Sequence, residues 1–502
     1  MADRLSPLDA SYLYLEEDTT PMHVGGVVLF QEPAEGFDHQ RVVELIASRI
    51  ALVPRYHQKV RSVPGRIANP VWVDDEDFDL DYHVRRATLP RPGGDGELRE
   101  LVGRVMARPL DRSRPLWEMY VVEGLSEGRF ALLTKTHHAM VDGAAAIDIG
   151  QVILDLAPEP REVDAPAWTP EPEPSPAELV ADAVADVLRS PAIAVDALRA
   201  EVADLRGLAE RLGQGAVGLL TAARTFARPP SETSLNAEIG EGRRFATAAA
   251  VLEDFKAIRA AHGGTVNDVV LAVVAGGLRS WLMTRGDAVT AQTAVKALVP
   301  VSVRQDGDSG GNQIAAFICS LPVGEPQPVV RLNRVTFEMA QLKSTGQAVA
   351  AEALVGLAGF APPTLHAMGA RSASGLSRRM FNTVVTNVPG PQFPLYAAGA
   401  RMLAAYPVVP LAKGQVVSIG LTSYDGGVYF GLNADRDAMD DVDVLAECLL
   451  ASLDELLDTV PGYGVPVVVP DPVSSAASRS LAGDRRRPPG GSPTGSGHPP
   501  RR

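Results

Sequence analysis

A proline-rich acidic run divides the chain into two segments, each of which is expected to fold around its own core. Seven prolines and several acidic residues lie between Ala157 and Pro176. Proline removes the backbone donors that helices and central strands need, so this run is predicted to be an extended linker. A chain of 502 residues is also too long for one ordinary core, which favours two domains.

Strand-like and helical patterns alternate in both segments. Before the linker, strands are predicted at 24–30, 116–122 and 129–136, with helices at 41–52 and 144–156. The second segment repeats this alternation. Its predicted helices are 252–262, 266–284 and 442–457, its predicted strands are 295–303, 315–321, 383–388, 415–422 and 428–432, and two further helices are expected between 321 and 383. Interleaved strands and helices indicate an α/β fold class for both segments.

The domain boundaries follow from these changes in composition. An N-terminal domain is expected at 1–156, a linker with connecting helices at 157–228, and a C-terminal domain at 229–465. The Ala- and Leu-rich helices at 177–227 are expected to pack across the two domains, with contact with a membrane as the alternative. Residues 466–502 are rich in Ser, Gly, Pro and Arg and are predicted to be disordered.

Composition excludes several classes of function. The net charge of −14 and the lack of a basic stripe argue against a nucleic-acid partner. Two cysteines, Cys319 and Cys448, lie in apolar segments, so no disulfide framework is expected and a reducing cytoplasm is favoured. The first 17 residues lack a signal-peptide core, and no run of about 18 apolar residues occurs. We expect a cytoplasmic protein, and peripheral association with a membrane or lipid-droplet surface remains open.

The segment from His137 to Gly143 is the leading candidate for a catalytic site. Two histidines stand at the carboxyl end of a predicted strand, and Asp142 enters the helix that follows. Because the pKa of free histidine lies near 6.5, an imidazole held there can accept and return a proton at neutral pH.

Structural interpretations of the same segment stay open. Asp142 also suits the N-cap of the following helix. One of the two histidines is expected to be structural, because neighbours on a strand face opposite sides. A metal site is the third interpretation. The chain offers no His-x-x-x-His pair, second His/Asp cluster or cysteine pair to complete it, so no metal is expected.

Several further motifs make the chain similar to the bacterial wax ester synthase/acyl-CoA:diacylglycerol acyltransferase family. The resemblance runs from Leu5 to about Val460, and its markers occur in one order. They are Pro7-Leu8-Asp9-Ala10, Pro21-Met22-His23-Val24-Gly25, Arg114-Pro115-Leu116-Trp117-Glu118, His137 to Gly143, Asn267-Asp268-Val269-Val270, Pro300-Val301-Ser302-Val303-Arg304, Gly311-Asn312 and Asn387-Val388-Pro389-Gly390-Pro391.

The resemblance implies a fold and an activity. It implies two chloramphenicol-acetyltransferase-like α/β domains forming a V, with a tunnel at their interface. The implied enzyme is an O-acyltransferase that moves a long-chain acyl group from acyl-CoA to diacylglycerol, giving triacylglycerol, or to a long-chain alcohol, giving wax ester. Acyl-CoA is then a substrate, and no cofactor is expected. One active centre is expected, because the second half has no matching His-His-x-x-x-Asp.

The resemblance also implies roles for the histidine segment. His138 is the general base that takes the hydroxyl proton and passes it to the departing CoA sulfur, and no covalent enzyme intermediate is needed. His137 helps to shape the site. Asp142 fixes the loop, through an arginine that the sequence does not identify. Gly143 gives the turn room for the approach of substrate.

Two substrate-binding residues are predicted outside that segment. Asn267 is a candidate donor to the oxyanion, although the neighbouring residues Thr265 and Asp268 also fit a capping box at a helix start. Arg304 is predicted either to bind a CoA phosphate or to pair with Asp142. The stretch 387–391 is expected to form a tight turn that borders the tunnel, and Trp117 and Glu118 are expected to support the core.

Two alternative functions remain at this stage. The chain could be a non-catalytic acyl-CoA- or lipid-binding protein that kept the fold, or a metallohydrolase. Retention of His138, Asp142 and Gly143 favours the enzyme over the first alternative, because a degenerate copy usually loses one of them. The preferred acceptor and acyl chain length depend on tunnel width, which the sequence does not predict.

Overall fold

The structure, a computed structural model, describes residues 3–141, 149–164, 168–189, 233–303, 313–344 and 380–462. The strands in these ranges are β1 Asp3–Arg4, β2 His23–Gln31, β3 Gln58–Arg61, β4 Val71–Asp74, β5 Val84–Thr88, β6 Trp117–Leu125, β7 Arg129–His137, β8 Arg243–Val251, β9 Val295–Val303, β10 Gln313–Leu321, β11 Thr383–Pro389, β12 Tyr396–Ala397, β13 Ala400–Val408, β14 Val417–Tyr424 and β15 Gly427–Asp435. The helices are α1 Pro7–Leu15, α2 His39–Arg49, α3 Leu80–His83, α4 Asp95–Met106, α5 Ile149–Ile153, α6 Pro176–Arg189, α7 Leu252–His262, α8 Val266–Thr284, α9 Pro328–Ser344 and α10 Val442–Leu457.

The described strands form two large mixed sheets and one small sheet. The first large sheet has the order β12-β13-β2-β7-β6-β5, and the second has the order β10-β9-β11-β14-β15-β8. The small sheet has the order β1-β4-β3. Each large sheet has its own apolar cluster, one centred on the first half of the chain and one on the second. The predicted α/β class is therefore confirmed.

Periodic segments of the sequence predicted their elements closely. The helices α7, α8 and α10 begin and end at the predicted residues, and β7 extends the predicted strand by only one residue. Of the two helices expected after β10, α9 is described, and the remaining stretch lies outside the described residues. The helix predicted at 144–156 is described only from 149 onward and ends at Ile153. Strands β3, β4, β5, β8 and β13 were not predicted.

Strand β13 belongs to the second half of the chain but pairs with the sheet of the first half. It lies antiparallel to β2, with Met402 opposite Phe30 and Val408 opposite Gly25. The two halves therefore share a sheet, and β2 lies between β13 and the histidine-bearing β7. The sequence did not predict that a strand from the second half joins the sheet of the first half. The predicted domain boundaries at 156 and 229 stay predictions.

Helix α8 is the central helix of the second core. By length and composition it could cross a membrane, but 72% of its most apolar window is buried inside the protein. Its alternation of Val, Leu and Ala packs against α10, α9 and α7. The cytoplasmic location expected from the sequence stays a prediction.

The proline-rich linker is extended and attached to the first half of the chain. Residues 156–164 and 168–175 contain no helix or strand. The Trp168 ring stacks on His57 with ring centroids 4.3 Å apart. The backbone N–H of Glu171 donates to Asp74 at 3.0 Å. The linker is then followed by α6, whose Leu179 and Ala183 pack on the small sheet.

A glycine in α4 permits close contact between the two halves. Helix α4 from the first half packs on β8 from the second. A Cβ added at Gly103 would lie 2.6 Å from the carbonyl oxygen of Arg243, which is too close for any real contact. Arg99 of the same helix forms an ion pair with Asp443 at 3.1 Å across this interface.

We predict that Gly103→Ala destabilises the protein, because the added methyl group forces α4 away from β8. The expected loss in the free energy of unfolding is about 1–3 kcal/mol, as for an overpacked core site, measured by urea denaturation. Gly96→Ala in the same helix is the matched control. A Cβ at Gly96 meets no atom within 4 Å, so that variant should be unchanged or more stable by up to about 1 kcal/mol. Equal stability of the two variants would contradict the packing argument.

Candidate active site

Strand β7 brings the histidine pair to the end of the first sheet. Its neighbours β2 and β6 cover both of its edges, with His137 opposite His23 and Thr136 opposite Trp117. The strand is buried along almost its whole length. At His138 the chain leaves the strand and enters a short 3-10 helix, His138–Met140. The histidines thus lie at the strand end, as predicted.

Close approach of β2 to β7 depends on a small residue. A Cβ added at Gly25 would lie 2.3 Å from the carbonyl oxygen of Thr134. Any larger side chain would therefore separate the two strands just before the histidines. Gly25 belongs to the marker Pro21 to Gly25, and this contact gives that marker a structural reason.

The two histidines have different surroundings. The side chain of His137 is 1% exposed and lies in the interior. His138 is half-buried, and its ring stacks on Tyr12 with centroids 4.0 Å apart and an interplanar angle of 23°. The expectation that one histidine is structural agrees with this difference, which leaves His138 as the one in contact with more open space.

Helix α1 supplies the partners of the histidine pair. Ser6 caps its start by accepting a hydrogen bond from the Asp9 N–H at 3.0 Å, and Pro7 occupies its first turn. The helix ends at Leu15, and extended backbone at Glu16 turns the chain toward β2. Helix α1 thus places Tyr12 against His138, and the residue after its end, Glu16, lies beside His137.

The Glu16 carboxylate is a buried junction with only 10% of its side chain exposed. His23 Nε2 lies 3.2 Å from Oε1, and His137 Nε2 lies 3.7 Å from Oε2. Arg112 Nε donates to Oε2 at 3.1 Å, and a second guanidinium nitrogen of Arg112 also donates to Oε2. The backbone N–H of Met22 donates to Oε1 at 3.2 Å. Both carboxylate oxygens are therefore fixed.

The surrounding groups keep Glu16 ionised. Burial alone would raise the pKa of this carboxyl, but its contacts with His137, His23 and Arg112 outweigh burial and hold the pKa well below its usual range. Burial lowers the pKa of His23 to about 4, although the Glu16 carboxylate opposes the shift. Burial likewise lowers the pKa of His137. Both imidazoles are therefore neutral at pH 7, beside a carboxylate balanced by Arg112.

The tautomer of His137 follows from its backbone contact. Its Nδ1 accepts a hydrogen bond from the Ala139 N–H at 3.1 Å, so Nδ1 carries no proton. The single proton of the neutral ring is then on Nε2, the nitrogen that faces Glu16. His137 thereby connects Glu16 to the backbone of the turn that carries His138.

Lys135 stands two residues before His137 and supports the same end of the strand. Its Nζ donates to the Val105 carbonyl at 3.0 Å and to the Arg108 carbonyl, at the carboxyl end of α4. Burial lowers the pKa of Lys135 to about 8, although Glu118 acts in the opposite direction. An ammonium at a helix carboxyl end complements the free carbonyl groups there.

Trp117 and Glu118 support the core, as predicted. Trp117 is 1% exposed and donates its indole N–H to the Tyr56 carbonyl at 2.8 Å. Glu118 is buried beside Arg85 at 3.0 Å and accepts a hydrogen bond from the Tyr120 hydroxyl at 2.8 Å. Neither residue is placed beside His138 by these contacts.

Asn267 and Asp268 lie in the first turn of α8. The capping box is confirmed, because Thr265 Oγ1 accepts from the Asp268 N–H and Asp268 accepts from the Thr265 N–H. Asn267 Oδ1 accepts a hydrogen bond from Asn387 Nδ2 at 3.1 Å. Asn387 to Pro389 continue β11, paired in parallel with β14, so the tight-turn prediction is wrong for these three residues. Backbone pairing with β14 keeps these residues extended, although Asn and Pro are common in turns.

Three predicted site residues lie outside the described residues: Asp142, Gly143 and Arg304. Their predicted roles, and the choice between an N-cap and an arginine pair for Asp142, stay predictions. Within the described ranges, no group of three or more His, Cys, Asp or Glu side chains is arranged to hold a metal ion.

A small cavity opens beside Glu16 and Arg112. It has a volume of about 250 Å³ and is lined by residues that include Leu13, Tyr14, Glu16, Arg66, Arg112 and Leu116. A larger cavity of about 680 Å³ lies between α2 and the start of the linker. None of the predicted site residues that the structure describes lines either of these two cavities. The tunnel expected at the domain interface stays a prediction.

Sequence reasoning missed Tyr12, Glu16 and Arg112. His23 lies in the marker Pro21 to Gly25, but the sequence assigns it no role. The register of β2 against β7 would have placed His23 opposite His137, had the pairing of these two strands been predicted. No local pattern marks Glu16, because its ion-pair partner Arg112 lies 96 positions away in the chain.

We predict that His23 makes stability depend on pH. Its pKa is about 4 in the folded protein, compared with 6.5 for free histidine. Between these values the unfolded chain binds a proton that the folded protein excludes, so stability falls as pH decreases from 6.5 to 4. The free energy of unfolding should fall across this range by on the order of 3 kcal/mol more for the wild type than for His23→Gln. Chemical denaturation at several pH values measures this, and parallel curves would contradict the burial argument.

Comparison with known protein families gives two matches that together span most of the chain. The family model for the wax ester synthase/diacylglycerol acyltransferase catalytic domain matches residues 5–270. The model for the C-terminal domain of the same group matches residues 310–457.

Curated relatives agree with these matches. A probable diacylglycerol O-acyltransferase of Mycobacterium tuberculosis is 34% identical over 469 residues, which cover 91% of this chain and 99% of that relative. A second probable diacylglycerol O-acyltransferase of the same organism is 43% identical over 263 residues, which cover 52% of this chain and 97% of that relative.

Solved structures confirm the predicted fold of two chloramphenicol-acetyltransferase-like domains. The wax ester synthase/diacylglycerol acyltransferase of Marinobacter aquaeolei VT8 is similar with a TM-score of 0.64 and 29% identity, covering 90% of this chain and 98% of that one. The first condensation domain of the calcium-dependent antibiotic synthetase has a TM-score of 0.53 and 15% identity, covering 93% and 98%. The second likeness concerns the fold alone.

Proposed function

The chain belongs to the wax ester synthase/diacylglycerol acyltransferase family, and from this premise we propose that it is an acyl-CoA-dependent O-acyltransferase with His138 as its general base. The acyl donor is a long-chain acyl-CoA. The acceptor is the hydroxyl group of diacylglycerol, of a long-chain alcohol, or of both. The observation that carries the proposal is the position of His138, half-buried on a fixed turn at the end of β7 and stacked on Tyr12.

The reaction requires one base at two stages. The hydroxyl oxygen of the acceptor attacks the thioester carbonyl carbon, and the His138 imidazole takes the hydroxyl proton as the C–O bond forms. The tetrahedral intermediate then collapses, the C–S bond breaks, and the imidazolium returns the proton to the CoA sulfur. General-base catalysis of this kind typically contributes about 10²–10⁴-fold to the rate.

Direct transfer suits the residues around the site. Both cysteines of the chain pack in or against the second core, where Cys319 is fully buried and burial raises the pKa of its thiol well above its usual range. A thiol in that state is a poor nucleophile. Neither cysteine therefore competes with the acceptor hydroxyl for the acyl group, and His138 has no role in activating a thiol.

Asn267 is the proposed donor to the oxyanion of the tetrahedral intermediate. Its side-chain oxygen is engaged by Asn387 Nδ2, an orientation that leaves its amide N–H₂ group as the part able to donate. Asn387 thus selects the orientation of Asn267. Preorganised donors of this kind stabilise charge that develops only in the transition state.

We predict that His138→Ala abolishes transfer and leaves the fold intact. The release of CoA thiol from palmitoyl-CoA in the presence of diacylglycerol or hexadecanol should fall by about 10²–10⁴-fold. The thermal midpoint should stay close to that of the wild type, because the ring is only half-buried. His39→Ala, which removes an imidazole from the start of α2, is the matched control and should keep full activity.

Activity that survives in His138→Ala would remove the base assignment. Thin-layer chromatography of the products from one acyl-CoA and a panel of acceptors identifies the acceptor class. Binding of acyl-CoA by the wild type without turnover on any acceptor would instead support the non-catalytic alternative.

We predict that Asn267→Ala lowers kcat by about 10²–10³-fold, the usual effect of losing one oxyanion donor, and leaves KM for acyl-CoA nearly unchanged. Asn387→Ala should give a smaller loss, because it removes only the group that orients Asn267. Steady-state kinetics measure both variants. Wild-type kcat in Asn267→Ala would show that the oxyanion is stabilised by other groups.

A further inference from the structure

Two successive backbone amides hold the turn that carries His138. The N–H of His138 donates to the Met22 carbonyl at 2.8 Å. The N–H of Ala139 donates to His137 Nδ1 at 3.1 Å. Together these bonds fix the peptide groups on both sides of the His138 Cα atom, and so they fix the direction in which its side chain leaves the backbone.

Both supports of the turn contact one carboxylate, which accepts a hydrogen bond from the first and lies beside the ring of the second. Glu16 Oε1 accepts from the N–H of Met22 at 3.2 Å, the same residue whose carbonyl receives the His138 N–H. Glu16 Oε2 lies 3.7 Å from His137 Nε2, on the same ring whose Nδ1 receives the Ala139 N–H. Glu16 therefore contacts two residues, Met22 and His137, each of which accepts a hydrogen bond from the turn that carries His138.

Arg112 fixes the carboxylate and connects it to a third support. Its guanidinium donates to Glu16 Oε2 and, at 2.9 Å, to the carbonyl of Leu13. Leu13 follows Tyr12 in α1, and the Tyr12 ring stacks on His138. The Arg112 side chain is half exposed while that of Glu16 is 10% exposed, so the charged pair is anchored on its buried side.

We propose that Glu16 is a positioning residue for the acyl-transfer reaction, which orients His138 through Met22 and through His137. This inference rests on the proposed function, because it requires that the orientation of His138 limits the rate. An error of about 1 Å in the position of a catalytic group can cost 10²-fold in rate. Loss of Glu16 is therefore expected to lower kcat, whereas substrate affinity and the fold depend on other contacts.

The central test compares Glu16→Gln with Glu17→Gln. Glutamine keeps the size of the side chain but replaces one acceptor oxygen with a donor. That donor faces either the Met22 N–H at the Oε1 position or the N–H groups of Arg112 and His137 at the Oε2 position. We expect kcat to fall by about 10–100-fold, with KM for acyl-CoA within about 3-fold of the wild type. Glu17 is the matched control. It pairs with Lys413 at 2.7 Å with both side chains about 40% exposed, a type of contact that contributes little, so Glu17→Gln should keep wild-type kcat.

A double-mutant cycle separates positioning from general stability. If Glu16 acts in part through His137, the loss in kcat in Glu16→Gln/His137→Asn should be smaller than the product of the two single losses. Asparagine at 137 keeps an acceptor for the Ala139 N–H but has no group that reaches Glu16. Multiplicative losses, or a loss that follows the folded fraction, would overturn the proposal.

A conservative variant covers the case in which Glu16→Gln does not fold. Glu16→Asp keeps the charge beside Arg112 but withdraws the carboxylate from Met22 and His137 by one methylene. It should also lose kcat, by about 3–30-fold, and wild-type kcat in this variant would overturn the proposal. An inactive wild type, or an active His138→Ala, would instead show failure of the proposed function itself, so the two failures are distinguishable.

Discussion

An ionised carboxylate buried between two neutral imidazoles sets the geometry of this site. Removing a carboxylate from water is costly unless its oxygens are paired and hydrogen-bonded. The Arg112 guanidinium and the Met22 N–H meet that requirement for Glu16, and neither His23 nor His137 has to be charged to do so. Because both imidazoles stay neutral, no buried positive charge is added beside His138, and His137 keeps the tautomer that accepts from the Ala139 N–H.

The site depends on both halves of the chain, because strand β13 of the second half belongs to the sheet that holds the histidines. The carbonyl of Met22 and the ring of His23 stand at the start of β2, and β2 lies between β7 and the exchanged strand β13. Two glycines of the second sheet bring it close to Pro407 of β13. A Cβ at Gly431 would lie 2.0 Å from the Pro407 carbonyl oxygen, and a Cβ at Gly420 would lie 3.1 Å from the Pro407 ring. The second half therefore holds one edge of β2, and a shift of that half would be transmitted to the strand that supports His138.

Local patterns in the sequence predicted what local forces determine. Helices α7, α8 and α10 have apolar periodicity, and their bounds were predicted to the residue. Gly263 ends α7, and the Thr265 side chain caps the start of α8. Strand β7 and the strand-end position of the histidines were predicted because residues 129–136 combine apolar Phe130, Leu132 and Leu133 with polar residues in the manner of a strand. Strands β8 and β13 escaped prediction because they are rich in alanine, and they are stabilised by pairing with the distant strands β15 and β2. Register between distant strands, which placed His23 opposite His137, has no signal in one sequence.

The residues of the candidate site likewise fall into those that a local pattern predicts and those that only long-range contacts place. His137 and His138 could be identified from their position after a strand, whereas Glu16 and Arg112 could not, since their contact spans 96 positions of the chain. The resemblance identified motifs but did not explain what they do, and the structure shows contacts that explain three of them. The three amides from His137 to Ala139 donate in turn to the carbonyl of Leu116, the carbonyl of Met22 and the ring of His137. Leu116 and Met22 each belong to a separate marker, and the marker at Pro7 begins the helix that delivers Tyr12 and Glu16. These dispersed motifs therefore share one physical task, which is to hold three consecutive peptide groups still around a single imidazole.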